Sequence, residues 1–559
     1  MKFTQIPYQR YEIEKLQAAF EAFSARAEQG TEQLLSARKE FWNSVIMYQT
    51  ASALAFCRFT LNTKDEFYQA EKGYYDRVSP QATHIMTEYG KIMLAHRAQA
   101  EGKVNPILFK KYECAEKSFA PCVEEDCRLE NEISTEYSKF MSELSVQWQG
   151  KAQPLSVVRG FLQDNDREVR KAAASAIGKA LQSGRERLDD IFDRLVKVRT
   201  KIAQKLGYKN FVELGYYRME RIDYDRAMVE QFRKNVQQDL VPAIAKLKEE
   251  VAQELKLGNL YFYDDQIYNA NGEPRPFGNT QQIMAAAQEM YDEMHPSLGC
   301  CMRSMQENEA FDVEARDGKW GGGYCEGFLQ YKQPFILANF NGTAGDVDVM
   351  THEFGHAYAF ARSFEAEDPE PGIGGMETAE CHSMSMEFFA EKYMDKFFTD
   401  PAAYCRSHLL QSLCFIPYGV IVDEFQHIVY ENPQLTPAQR NEAYLKLEEK
   451  YRPYLSFEGI PYLEEGTRWQ YQMHIFESPF YYIDYCLAQT VALGFFVKMR
   501  EDYSGALKTY LNFVEAGGSK PFSTLVREAG LPDPFGTGTL KTLADKITAI
   551  AEEERNSAK

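Results

Sequence analysis

The apolar positions of this 559-residue chain recur mostly at the three- and four-residue spacing that lines one face of an α-helix. Residues 12–28 are rich in Ala, Glu, Leu, Lys and Gln, all good helix formers. Residues 134–147 repeat apolar side chains at helical spacing, and 166–204 read as two helices broken near Gly184. Residues 229–257 predict another helix, with Pro242 marking a kink or a start. The texture changes between 258 and 345. Leu260, Tyr261, Phe262 and Tyr263 form an aromatic run with strand character. Residues 269–278, with Asn271-Gly272 and two prolines, predict a loop, and 281–294 return to the helical pattern. Gly318, Gly321, Gly322 and Gly323 then mark a flexible, glycine-rich segment that no GK[ST] follows, so it is not a phosphate loop. Residues 334–340 are a short apolar strand with two open readings: an edge that pairs with an extended peptide, or plain core. From Thr343 the pattern is again mostly helical, broken by loops at 369–375 and 530–538. The pattern predicts a mainly α fold with a small β-sheet.

Composition narrows the partners. The net charge is −19 and the pI about 5.2, and so acidic a surface repels phosphate backbones, which argues against nucleic acid. The chain turns polar within its first five residues, too soon for the apolar core of a secretory signal. No run of about 18 apolar residues exists to cross a membrane. Eleven cysteines, none at zinc-knuckle or CxxC spacing, read as reduced thiols of a cytoplasmic protein.

Within the helical C-terminal part lies His352-Glu353-Phe354-Gly355-His356. On a helix, residues four apart share a face, so two imidazoles can bind one tetrahedral zinc ion while the glutamate between them accepts a proton from the zinc-bound water. Val349, Met350, Phe354, Ala357, Phe360 and Ala361 supply the apolar stripe such a helix needs, and Thr343 with Asp346 reads as a capping box at its start. A catalytic zinc needs a third protein ligand. The next helix, following Gly374-Gly375, offers Glu377, Glu380 and Glu387, whose spacings of three and seven bring them to one face. His382 lies off that face. His84, His96, His295, His408 and His427 have no partner legible in the sequence and read as structural or surface residues.

These segments resemble the thimet oligopeptidase and oligoendopeptidase F family of zinc metallopeptidases, in its bacterial oligoendopeptidase branch. The likeness rests on the HEFGH core, on Glu380 to Glu387 as E-x-x-S-x-x-x-E with Ser383 in place, and on Gln333-Pro334-Phe335-Ile336 through Asn339-Phe340-Asn341-Gly342-Thr343. Leu206-Gly207-Tyr208-Lys209-Asn210 and Arg218-Met219-Glu220-Arg221 extend it. The likeness runs from about residue 200 to the end, and the first 200 residues match only in being helical. That divides the chain into an N-terminal helical region, 1–200, and a catalytic region, 201–559, whose lobes interleave. The resemblance implies Glu380 as the third ligand, with His352 and His356, and Glu387 as a supporting carboxylate. It implies a two-lobed helical body, a small sheet next to the motif helix and a deep central channel for short peptides. It also implies a histidine and a Tyr-x-x-Tyr pair facing the reacting carbonyl. His474, Tyr482 and Tyr485 fit that role, with Tyr481 as the alternative to Tyr482.

The expected function is therefore zinc-dependent endopeptidase action on short unstructured peptides, with one zinc per chain, a zinc-bound water as nucleophile and Glu353 as general base. His474, Tyr482 and Tyr485 would steady the tetrahedral intermediate. Two rivals remain: a helical zinc carboxypeptidase or dipeptidase, with Arg468 as anchor for the terminal carboxylate, and a peptide-binding scaffold without catalysis. The oligomeric state is not legible.

Overall fold

The computed structural model describes residues 1–557. The fold is mainly α-helical with two small sheets. Helices α1 (Ile13–Ala27), α2 (Thr31–Leu61), α3 (Glu66–Ala95) and α4 (Pro106–Ser118) come first. In α1 the buried residues Ile13, Leu16, Phe23 and Ala27 follow the three-four-seven spacing of one helical face. They pack with Phe41, Tyr89, Met93 and Leu108 into a core belonging to these four helices.

The next helices, α5 (Glu124–Glu143), α6 (Arg167–Ser183) and α7 (Arg185–Lys205), confirm the break at Gly184. Leu188, Ile191, Phe192, Leu195, Val196 and Ile202 of α7 enter the principal core, which continues through α8 (Phe211–Arg218) to Ile547. Residues on both sides of position 200 thus share one core. Helix α5 ends earlier than its pattern predicts. Ser145–Trp148 (β1) pairs with Lys151–Pro154 (β2) as an antiparallel hairpin. Gln149 and Gly150 both take positive φ (48° and 79°), the two-residue turn whose twist suits a hairpin, and Val146 and Trp148 alternate inward.

The aromatic run at 260–263 is not a strand. It makes one bridge, Tyr261 to Ser456, and then turns through Phe262–Asp264. The buried Asp264 carboxylate accepts from the Tyr261 N–H (3.1 Å) and from Arg170 (2.7 Å), folding the chain back. Pro242 lies inside one continuous helical run rather than at a start: Arg226–Asn235 passes through a π-helical turn, Val236–Leu240, directly into Val241–Glu254, and the irregular turn precedes the proline.

After α9 (Thr280–Met294) and α10 (Pro296–Glu307) comes a three-stranded sheet: β3 (Phe311–Glu314), β4 (Tyr324–Phe328) and β5 (Gln333–Phe340), in the order β3-β5-β4. β5 runs parallel to β3 and antiparallel to β4, so it is the central strand, and residues 333–338 are buried. The core reading of 334–340 holds, and the edge beside the next helix is β4. That helix is α11 (Gly345–Ser363). Its start is not a Thr-Asp capping box. Asn341 takes the Thr343 hydroxyl (2.7 Å), while Asp346 accepts from the N–H groups of Asn341 (2.9 Å) and Gly342 (2.7 Å).

Helices α12 (Met376–Ala390), α13 (Pro401–Glu431), α14 (Tyr482–Glu501) and α15 (Tyr503–Ala516) follow. α12 lies against both α11 and α14, and α13 packs on α14. α12 and α14 are buried on nearly every side, which accounts for their lack of a polar stripe. No helix among the described residues is long and apolar enough to cross a membrane.

Candidate active site

Helix α11 presents His352, Glu353 and His356 toward α12. The close approach of the two helices depends on the glycine inside the motif. A Cβ at Gly355 would lie 2.6 Å from the His382 carbonyl oxygen and from Ser383 Cα, so any larger residue would push α12 away from the two imidazoles.

Across this contact, Glu380 Oε2 lies 3.3 Å from His352 Nε2 and 3.5 Å from His356 Nε2. One donor atom from each of the three residues falls within 4.8 Å of the others. Their remaining polar atoms are largely engaged. His352 Nδ1 is 2.6 Å from Glu387 Oε1, and Tyr481 donates its hydroxyl to Glu380 Oε1 (2.5 Å). Ser383 also donates to Glu380 Oε2 (3.2 Å). Two imidazoles and a carboxylate aimed at one point are a donor set suited to a divalent metal ion. The electrostatics carry the same signature. Burial alone would lower the His352 imidazole, but hydrogen bonds with Glu380 and Glu387 hold it well above its ordinary range. Burial alone would raise Glu380, but the two imidazoles hold it well below the usual carboxylate range. A cation at this point would compensate the same negative charge.

Of the three glutamates left open by spacing, Glu380 meets both imidazoles and Glu387 meets the far nitrogen of His352. Glu377 makes no ion pair with either histidine among the described residues. It is buried near Asp484, and burial together with that neighbouring carboxylate pushes it up to about 8. Glu353 is buried, and burial raises its carboxyl above the ordinary value despite the imidazoles on either side. The edge of the sheet comes close to it: a Cβ on Gly323, the residue preceding β4, would sit 3.8 Å from Glu353 Oε1.

The second half of the site comes from residues 472–485. His474 stands in the short helix Met473–Glu477, with ring centroids 4.9 Å from Tyr482, 5.7 Å from Tyr485 and 5.8 Å from Tyr481. Burial holds its imidazole down at about 4. Tyr481 is the tyrosine whose hydroxyl reaches Glu380, and its ring lies 4.8 Å from that of Tyr485. Tyr482 turns toward Phe415 (5.6 Å) and Tyr418 (5.8 Å), so it walls the His474 ring.

This segment is held by tethers distant in sequence. Phe480 takes φ +68°, a strained value for a bulky residue. Its N–H donates to Gln426 Oε1 (2.9 Å), Arg221 donates to its carbonyl (2.5 Å), and its ring packs on Phe211, Tyr216, His427 and Tyr430. Arg199, fully buried, donates to the carbonyls of Ile475 (3.3 Å) and Phe476 (2.5 Å) and is neutralised by Glu130 (2.7 Å).

Sequence reasoning missed His408, which it left among the structural or surface histidines. His408 Nε2 is 2.8 Å from Glu387 Oε2 and its Nδ1 is 2.8 Å from Glu391 Oε1, so it continues the chain His352–Glu387 into α13. No local spacing marks it. His96, His295 and His427 keep structural roles, pairing with Glu28, Ser297 and Tyr216. His382 points away from the site onto Phe513.

The family model described as Peptidase family M3 matches residues 161–545, and the one described as Peptidase M3 N-terminal domain matches residues 3–119. A solved structure named PZ peptidase A with inhibitor 2 is 41% identical, with 99% of each chain covered and a TM-score of 0.95. A second solved structure, carrying a provisional oligoendopeptidase F name, is 38% identical, again with 99% of each chain covered and a TM-score of 0.95. The oligopeptidase PepF of Bacillus subtilis is 22% identical over 496 residues, which span 85% of this chain and 68% of that protein.

Proposed function

The chain belongs to peptidase family M3, and from that premise we propose that it is a zinc-dependent oligoendopeptidase hydrolysing internal bonds of short, unstructured peptides. The observation that carries this reading is the meeting of His352, His356 and Glu380 at one point, with the buried Glu353 between the two imidazoles. These three residues hold one zinc ion per chain. When bound, zinc supplies Lewis acidity, polarising a carbonyl oxygen and making water easier to deprotonate. Glu353 takes a proton from the attacking water and passes it to the leaving amine, a task helped by burial, which raises its basicity. Glu387 orients His352 through Nδ1.

As the carbonyl oxygen gains negative charge, His474 and Tyr485 donate hydrogen bonds to it. Tyr481 steadies Glu380 and lies against Tyr485, while Tyr482 holds the His474 ring from the other side. The β4 edge, close to Glu353, takes an extended peptide as an added strand. The principal core, which helix α7 enters from before residue 200, carries this chemistry, and helices α1 to α4 serve as one wall of a channel that admits flexible chains and excludes folded domains. The protein works in the cytoplasm.

Arg468 is a poor anchor for a terminal carboxylate, because its guanidinium already lies over Tyr418 (4.0 Å) and beside Glu448 (3.5 Å). That favours internal over terminal cleavage. The retained Glu353 argues against a scaffold without catalysis. Digestion of a mixed peptide library, with product mapping and a chelator control, tests the proposal. Internal cuts abolished by the chelator are expected. Release of single terminal residues would point to the exopeptidase, and no cleavage to the scaffold.

A further inference from the structure

We propose that Gln472 fixes the tautomer of His474, keeping the ring proton on Nε2 so that a neutral imidazole is always ready to donate. Gln472 is thereby a positioning residue for the reaction. This inference rests on the role given to His474 above.

The geometry starts at the Gln472 carboxamide, whose Nε2 lies 2.8 Å from His474 Nδ1. An amide nitrogen only donates. Its partner must therefore present a lone pair, so Nδ1 carries no proton, and in the neutral ring the proton sits on Nε2. At the other end of the amide, Oε1 accepts from the Tyr418 hydroxyl (2.6 Å). Turning the amide over would instead place the ring proton on Nδ1 and make the Tyr418 hydroxyl the acceptor, so the tautomer of His474 distinguishes the two orientations.

Tyr418 is itself firmly placed. Its ring lies between the guanidinium groups of Arg468 (4.0 Å) and Arg452 (5.3 Å) and the edge of Tyr482 (5.8 Å). The relay Tyr418–Gln472–His474 therefore joins α13 to the His474 turn through neutral groups alone. A carboxylate in place of Gln472 would do something different. It would accept a proton from Nδ1 and favour the imidazolium. The titratable groups facing the ring are the phenols of Tyr481, Tyr482 and Tyr485, with Glu380 beyond them. None of them replaces the amide at Nδ1. Burial of His474 favours the uncharged ring for the same reason.

The test combines two variants with a spectroscopic readout. In the zinc-loaded enzyme labelled with 15N-histidine, two-bond 15N–1H correlations identify the tautomer of His474, with His474→Ala used to assign the signal. Wild type should show the Nε2–H form. Gln472→Met, similar in shape but without the donor, should show a mixture of tautomers, with kcat reduced about 10- to 100-fold and KM within about twofold. Gln472→Glu, nearly isosteric, should move the proton to Nδ1 and introduce a His474 ionisation into the pH profile of kcat. Thermal melting of each variant checks that the fold survives. An Nδ1–H ring in wild type, or Gln472→Met with unchanged tautomer and kcat, would overturn the inference. Unchanged kcat in His474→Ala would instead remove the catalytic role on which it rests, a failure visible separately from the tautomer.

Discussion

The two halves of the site are built on different principles. His352, Glu353, His356, Glu380 and Glu387 stand on two long helices, α11 and α12, and the helical period brings them together once Gly355 lets the helices touch. His474, Tyr481 and Tyr485 stand on a turn, a five-residue helix and the first turn of α14. Their positions depend on a left-handed Phe480 and on Arg199, Arg221, Gln426 and Gln472, three of which lie far away in sequence. A period can be read from a sequence, whereas a set of tertiary tethers cannot. The first half should therefore fail through single ligands or the base, and the second through residues that never touch substrate.

Removing the base gives the largest effect. Glu353→Gln should lower turnover by roughly 10²–10⁴-fold or more while zinc content stays at wild-type level, because glutamine keeps the shape but cannot accept a proton. Activity within about tenfold of wild type, measured on purified protein with known metal content, would break the assignment of the base.

The tethered half should reveal itself through acid stability. Burial raises the Glu130 carboxyl, but Arg218 and Arg199 outweigh burial and hold it at about 2, below the ordinary 4.5. A depressed carboxyl stabilises the fold above the unfolded value, and that stability is lost as pH falls from about 4.5 toward 2. The contribution is on the order of 3 kcal/mol. Tm measured against pH should fall steeply in that window for wild type. Glu130→Gln should be less stable at pH 7 and fall less steeply between pH 4.5 and 2, where Glu380 and Glu387 still titrate. A wild-type slope in the variant would remove Glu130 as the source.

A smaller effect crosses between the halves of the site, since His408 belongs to the metal side yet is held like a tether. His408→Leu should weaken zinc binding about 10- to 100-fold by loosening Glu387 behind His352. Chelator competition measures this directly, and His408→Gln, which retains a donor, should lose less. Equal affinity in wild type and His408→Leu would confine the supporting shell to Glu387.

The same contrast explains what was legible. The break at Gly184, the loop at 369–375 and the face shared by His352 and His356 follow from local period and local breakers. The Thr343–Asp346 cap was misread because Asn341 competes for the Thr343 hydroxyl. Tyr261 to Tyr263 look like a strand until the buried Asp264 and its arginines bend them. Residues 145–148 continue a helical pattern but are captured by the turn at Gln149-Gly150. Spacing left Glu377, Glu380 and Glu387 together on one face. Only the packing of α12 against α11 and α14 turns Glu380 to the imidazoles and Glu377 toward Asp484. His408, Gln472 and the contact of Tyr481 with Glu380 depend on partners 21 residues away, on a side-chain rotamer, and on partners 101 residues away, respectively. None of these leaves a periodic trace.

Whether His352, His356 and Glu380 hold one catalytic zinc is decided by metal analysis after exhaustive dialysis of wild type, Glu380→Ala and Glu377→Ala. Wild type should hold one zinc per chain, Glu377→Ala nearly as much and Glu380→Ala sharply less, with peptidase activity following metal content. Full zinc in Glu380→Ala together with loss in Glu377→Ala would contradict that ligand set.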